Sequence, residues 1–236
     1  MKFGPFKSIV IIGGGSLVQN LIPWITEKKI PFGLITSTRQ SKLMEKDEKI
    51  NNIKNKFMSL CLKKLDRVKI NKFIRTFHDP FFISIGAAWI FKKEILEIFD
   101  DNLYNLHGTR LPLNRGGATM SWQILMGNKL GSCLIHKVNE GIDKGDVIFY
   151  DEFLYNACRT PLEYHQLYVS KNIEFFKKIF SDHFNKTTNV KISSQPEYLS
   201  TYWPRLDTKT NGWIDWNLKP KNIENFICAF DDPYAG

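Results

Sequence analysis

The first apolar run, Ser8 to Ile12 (SIVII), stops at Gly13, Gly14 and Gly15, and apolar positions then recur with helical spacing from Leu17 to Ile25. Strand, glycine turn and helix are expected in that order. Pro31 to Thr36 (PFGLIT) supplies a second strand, and a βαβ unit of this kind closes right-handed with its two strands parallel. Further strands are expected at Arg67–Ile70, Phe81–Gly86, Leu103–Leu106, Leu130–Val138 and Asp146–Phe153, with helices near Lys92–Phe99, Ala118–Met126 and Thr160–Phe180. The alternation runs to about residue 185 and implies an α/β fold built on a mostly parallel sheet with flanking helices. Beyond it, polar residues from His183 to Gln195, then WPRL, NGWIDW and an amphipathic stretch from Asn222 to Phe230 read as a C-terminal extension over residues 186–236: loop, short strand, helix.

Composition sharpens this only a little. In a chain of 236 residues, 43% hydrophobic and 24% charged residues exclude a disordered or collagenous protein and allow one large domain, or one with a small appendage. No apolar run has bilayer-spanning length, and glycines break the opening before it could serve as a signal peptide, so a cytoplasmic protein is expected. Cys61, Cys133, Cys158 and Cys228 lie far apart with no CxxC or Cys/His pairing, which suggests reduced thiols and no metal. Thirty-three Lys and Arg against twenty-four Asp and Glu leave a net charge of +9, favouring anionic partners without choosing among them. Much of that surplus falls between Lys42 and Lys72, where a solvated helix face is the expectation.

The three glycines invite a dinucleotide-binding reading, but Val18 stands where GxGxxG needs its last glycine. Thr36, Ser37, Thr38 and Arg39 offer no carboxylate for a ribose at the end of the next strand. A tight turn at the head of a helix is the preferred reading.

Chemistry is concentrated elsewhere, in Asn105-Leu106-His107-Gly108-Thr109-Arg110-Leu111-Pro112, in Arg115-Gly116-Gly117, and in Glu140-Gly141-Ile142-Asp143-Lys144-Gly145-Asp146. On a strand, Asn105 and His107 share a face while Leu106 takes the other. A neutral amide beside an imidazole suits a reaction in which an oxyanion forms and a proton must be moved. Asp143, in a glycine-flanked turn, could orient the imidazole and stabilise its protonated form. Taken singly, each also has a structural explanation: a buried histidine, a strand-end cap, a turn residue.

Together and in this order, NLHGTRLPLNRGG, SCLIHKVNEGIDKGDVIF, SIGAAWIFKKEIL and PRL…NGWIDW…AFDDPYAG resemble the formyltransferase family that uses 10-formyltetrahydrofolate. The resemblance runs from about Phe82 to the C-terminus, with a fainter match in the opening βα unit. It implies a Rossmann-like formyltransferase fold, a catalytic domain over residues 1–185, and a catalytic trio of Asn105, His107 and Asp143. In the family an amine attacks the formyl carbon directly, the amide and imidazole stabilise the oxyanion, and a proton passes to the departing folate nitrogen. The pterin of the cosubstrate is expected against the backbone of Gly86, Ala87, Ala88 and Trp89 and the loop Asn139, Glu140, Gly141 and Ile142, where small residues let backbone approach a flat ring.

Departures from the family bear on the acceptor. Many members have His-Pro-Ser-Leu-Leu-Pro where this chain has His107-Gly108-Thr109-Arg110-Leu111-Pro112. The His-Gly-Thr form and Trp203-Pro204-Arg205 resemble sugar-nucleotide N-formyltransferases acting on dTDP-linked amino-dideoxy sugars for surface polysaccharide, with a 4-amino sugar preferred over a 3-amino one. Arg110, Arg115 and Arg205 are then diphosphate candidates, because a guanidinium grips two oxygens at once. Thr109 and Gly116 are further substrate-binding candidates, and Tyr202 and Trp203 offer a face for a nucleobase, or else a seam where the tail docks. The chain ends where larger relatives enter a C-terminal domain that helps to hold tRNA, which counts against a tRNA acceptor. The resemblance also implies a homodimer, no membrane and no nucleic-acid partner. Rivals are glycinamide ribonucleotide transformylase, methionyl-tRNA formyltransferase, a formyltetrahydrofolate hydrolase and, in another class, a non-catalytic nucleotide- or RNA-binding module, against which the lysines lie apart from the aromatics.

Overall fold

A computed structural model describes residues 1–234, so Ala235 and Gly236 at the end of the AFDDPYAG motif lie outside the described residues. Seven strands form one sheet: β1 (Ser8–Gly13), β2 (Phe32–Ser37), β3 (Met58–Leu62), β4 (Pro80–Ile85), β5 (Leu103–His107), β6 (Leu130–Lys137) and β7 (Val147–Leu154). Their order is β3-β2-β1-β4-β5-β6-β7; the first five are parallel, and β6 and β7 are antiparallel to their neighbours. The chain winds outward from β1 through β2 to β3 and then returns to β4 on the other side of β1. That reversal opens a crevice at the carboxyl ends of the central strands.

All six residues of β1 are buried, as expected of a strand covered on both faces. Ile9 and Ile11 pack with helix α1 (Ser16–Glu27), through Leu17, Val18, Leu21, Ile22 and Ile25, and with the long helix α2 (Pro161–His183), through Phe175, Phe176 and Ile179. Val10 and Ile12 point the other way, into a second cluster with Ile70, Phe73, Ile74, Phe91, Ile95 and Phe99. The period of two along the strand therefore sets the two layers.

The expected strand at Arg67–Ile70 is instead the first half of a helix, Arg67–Ile74. Asp66 caps it, its carboxylate accepting from the Lys69 amide at 3.0 Å, and Ile70, Phe73 and Ile74 form its buried stripe at helical spacing. The strand of this region lies earlier, at Met58–Leu62, on the sheet edge where only Leu62 is buried. The basic stretch from Lys42 to Lys72 is accordingly several short elements rather than one helix face.

Residues 188–189 pair antiparallel with Lys2–Phe3, and Tyr202–Trp203 pair parallel with Arg115–Gly116. The helix Pro220–Ala229 buries Ala229 beside Ile124, Tyr155 and Tyr164. No helix among the described residues is long and apolar enough to cross a membrane, and the four cysteines are free thiols.

Asp66→Ala should cost about 1 kcal/mol of stability through the lost cap. Urea unfolding checks this, and an unchanged midpoint would show that the cap does not hold the helix.

Candidate active site

The crevice at the strand ends is a cleft of about 490 Å³. Its back wall comes from β4 and β5. Gly13, at the end of β1, has a φ of 147°, and a Cβ there would overlap the Ile85 carbonyl oxygen, so only glycine lets the two strands approach so closely. The Gly14 amide donates to that same carbonyl at 3.0 Å, and the Gln40 amide donates to the Gly86 carbonyl at 2.8 Å. These bonds fix the turn carrying Gly86, Ala87 and Trp89, all three of which line the cleft. Ala88 is exposed and does not line it. Asn139, Glu140, Gly141 and Ile142 form the facing wall.

Asn105 and His107 stand on one face of β5, as the strand period requires, and both reach the cleft. The antiparallel register sets His136 of β6 directly opposite Asn105. A bulge in the β6–β7 pairing falls between Ile135 and His136, a device that re-aims a side chain. Asp143 arrives from the loop between β6 and β7 with a left-handed φ of 53°. Its Oδ1 lies 3.7 Å from both His107 Nδ1 and His136 Nε2, while its Oδ2 accepts from the Gly116 amide at 3.0 Å. The trio expected from the sequence therefore converges, and it does so around a fourth residue, His136, which sequence reasoning missed.

The hydrogen bonds assign the tautomers. His136 Nδ1 lies 2.6 Å from the Lys137 carbonyl, which can only accept, so the proton is on Nδ1 and Nε2 accepts from the Asn105 amide at 3.1 Å. Burial, and next the neighbouring His107 ring, hold the His136 pKa down to about 4, so the ring is neutral near pH 7. His107 Nε2 lies 2.7 Å from the Thr109 hydroxyl, whose single proton is given to the Asn114 carbonyl, also at 2.7 Å. Thr109 thus accepts from Nε2–H, and His107 Nδ1 is left with its lone pair toward Asp143.

The substrate-binding candidates divide between the cleft and its surroundings. Thr109 is buried and engaged with His107, and Gly116 lines the cleft. Arg115 is 3% exposed and turned away: its guanidinium donates to Glu197 at 2.8 Å and twice to Gln195 Oε1, at 3.1 and 3.3 Å. Gln195 in turn donates to the carbonyls of Asp143, at 2.8 Å, and Gly145, at 2.6 Å. Arg115 is therefore the root of a brace that holds the Asp143 loop. Lys144, then Arg115, hold the Glu197 carboxyl down to about 2. Arg110 is half-exposed and pairs with Glu152 at 3.2 Å. Arg205 is exposed beside Gly117, at the cleft rim. Tyr202 is exposed, and Trp203 stacks on Trp122 with 6.3 Å between ring centroids, as a docking seam would.

This is a mostly parallel α/β domain with an amide, two imidazoles and a carboxylate gathered at the strand ends, groups whose chemistry is able to move a proton and to meet negative charge. Its lineage is specific. A family model described as formyl transferase matches residues 7–176, and the chain belongs to that family. It is 30% identical over 156 residues to a methionyl-tRNA formyltransferase of Clostridium tetani, an alignment covering 66% of this chain and 49% of that protein. The chain spans about half the length of the curated relatives it matches. Among solved structures it shares its fold with WlaRD, a sugar 3N-formyl transferase crystallised in the presence of dTDP and 5-N-formyl-THF, at 22% identity and a TM-score of 0.73, covering 96% of this chain and 80% of that one. The N-formyltransferase from Helicobacter canadensis in complex with folinic acid and dTDP-3-aminofucose gives 21% identity and a TM-score of 0.74 over 95% and 80% of the two chains.

Two outcomes follow from this geometry. Because His136 is held below its ordinary pKa of 6.5, the unfolded chain binds the extra proton first; the stability it contributes is full above about pH 6.5 and falls as pH drops toward 4. His136→Asn should flatten that part of the stability profile, and a profile identical to wild type would contradict the assignment. Gln195→Leu should raise amide hydrogen exchange between residues 141 and 146 while leaving the central strands unchanged; equal protection of the loop would remove the brace.

Proposed function

We propose that this chain transfers the formyl group of 10-formyltetrahydrofolate to the amine of a dTDP-linked amino-dideoxy sugar, with dTDP-4-amino-4,6-dideoxyglucose as the preferred acceptor. The observation that carries the transfer is the convergence of Asn105, His107 and Asp143 on one cleft whose other wall is largely backbone. That wall suits a flat conjugated ring, since Gly86 and Gly141 present no side chain and Ala87 only a methyl. When bound, the folate supplies a formyl carbon activated toward an amine.

The residues divide the remaining work. Asn105 has one amide hydrogen anchored on His136 and a second free to meet negative charge developing on a carbonyl oxygen. His107 Nδ1 takes the proton from the attacking amine, and Asp143 pairs with the imidazolium so formed. The same proton then serves the departing nitrogen, so no net proton is lost. Because the oxygen, the amine and the leaving nitrogen are handled by fixed groups, catalysis needs no covalent bond to the chain.

The sugar acceptor is supported by the His-Gly-Thr loop, by exposed Arg205 beside cleft-lining Gly117 as a diphosphate partner, and by the fold shared with proteins whose names include dTDP and amino sugars. The curated relatives favour a second acceptor, methionyl-tRNA. Loss of formyl from 10-formyltetrahydrofolate should depend on the dTDP sugar and not on methionyl-tRNA or water; turnover driven by tRNA, or without acceptor, would replace the reading.

His107→Ala and Asn105→Ala should each lower turnover about 10²- to 10⁴-fold while folate affinity stays within a few-fold of wild type. Single-turnover kinetics beside folate titration checks this. Near-normal turnover in either variant would withdraw its role.

A further inference from the structure

Three donor atoms, His107 Nδ1, His136 Nε2 and Asp143 Oδ1, lie within 4.8 Å of one another on the cleft wall, with two of the separations at 3.7 Å. These are too long for hydrogen bonds and close to the edge of about 3.4 Å that a tetrahedral zinc ion with bonds of about 2.0–2.1 Å imposes on its ligands. What distinguishes the cluster from a chance gathering is how each group is held from behind. His136 gives its Nδ1–H to the Lys137 carbonyl, His107 gives its Nε2–H to Thr109, and Asp143 takes the Gly116 amide on its other oxygen. Such partners fix the tautomer and aim of metal-ligating side chains. Each imidazole thereby keeps one unprotonated nitrogen 3.7 Å from the free carboxylate oxygen, that of His136 being engaged by the Asn105 amide hydrogen.

We propose that this cluster is a binding site for a first-row divalent cation, Zn²⁺ above all, with His107, His136 and Asp143 as ligands and a fourth position open to the cleft. Two imidazoles and one carboxylate leave the bound ion with a net charge of +1, so the open position takes water or an anionic ligand. The ion displaces the Asn105 amide hydrogen from His136 Nε2 and occupies His107 Nδ1. It is therefore inhibitory, because it removes both the anchor of the amide and the base. That consequence rests on the proposed transfer reaction; the site itself does not.

The test uses the full chain, stripped with a chelator and titrated with Zn²⁺ alone at pH 7.5, with Co²⁺ as a spectroscopic stand-in. One saturable equivalent is expected, with a tetrahedral Co²⁺ spectrum lacking thiolate bands. Its dissociation constant should rise roughly 100-fold or more in His136→Ala and in Asp143→Asn. Cys61→Ser and His78→Ala, on the exposed surface, should leave it unchanged. No saturable equivalent, or one lost in Cys61→Ser and kept in His136→Ala, would overturn the proposal. Should the site variants fail to fold, wild-type histidine ¹⁵N resonances decide: those of both His107 and His136 must move as zinc is added, and unmoved resonances would overturn it too. Zinc should also abolish acceptor-dependent formyl transfer, reversibly on chelation. A wild-type chain that binds zinc here but transfers no formyl group would overturn the transfer reading and leave the metal site standing.

Discussion

The pairing of β5 with β6 is the constraint from which the site follows. Because these strands are antiparallel and in a register that places Asn105 opposite His136, a strand-end amide finds a neutral acceptor on its own face and is held there. A slip of one residue would turn Asn105 and His107 away from β6's polar position and set apolar side chains in their place. The remaining geometry is arranged around this pair. The glycine turns after β1 and β4 clear space in front of it, and the left-handed Asp143 brings the carboxylate to its side.

Electrostatics makes the arrangement selective in its charge states. A buried imidazole with no compensating carboxylate hydrogen bond stays neutral, as His136 does, and so supports the amide rather than competing for protons. Both unprotonated nitrogens lie 3.7 Å from Asp143 Oδ1, but that of His136 already accepts the Asn105 amide, whereas Nδ1 of His107 has no such donor and is open to a proton that the carboxylate then favours. Two chemically identical side chains 6.0 Å apart between ring centroids thus take different roles, set by a backbone carbonyl behind one and a hydroxyl behind the other.

The sheet's centre was legible in the sequence because local pattern determines it: the change from period two to helical spacing at Gly13–Gly15 marks β1, the turn and α1 without reference to anything distant. Errors arose where local signals conflict. Arg67–Ile70 alternates like a strand, but the Asp66 cap and the stripe through Phe73 and Ile74 decide for helix. The edge strand Met58–Leu62 hides because it buries little. In the site, Asn105, His107 and Asp143 could be named because they sit in dense, unusual runs. His136 could not, since its role comes from cross-strand register. Arg115 looked like a free phosphate ligand because its partners, Gln195 and Glu197, are 80 and 82 residues away.

The central claim is that opposed, fixed tautomers in a preorganised site define what this chain can do. Two-dimensional ¹⁵N NMR of histidine-labelled protein near pH 7 tests it most directly. The expected result is His136 as a neutral ring protonated on Nδ1, and His107, in its neutral form, protonated on Nε2. A charged His136, or one protonated on Nε2, would contradict it, because neither could accept the Asn105 amide.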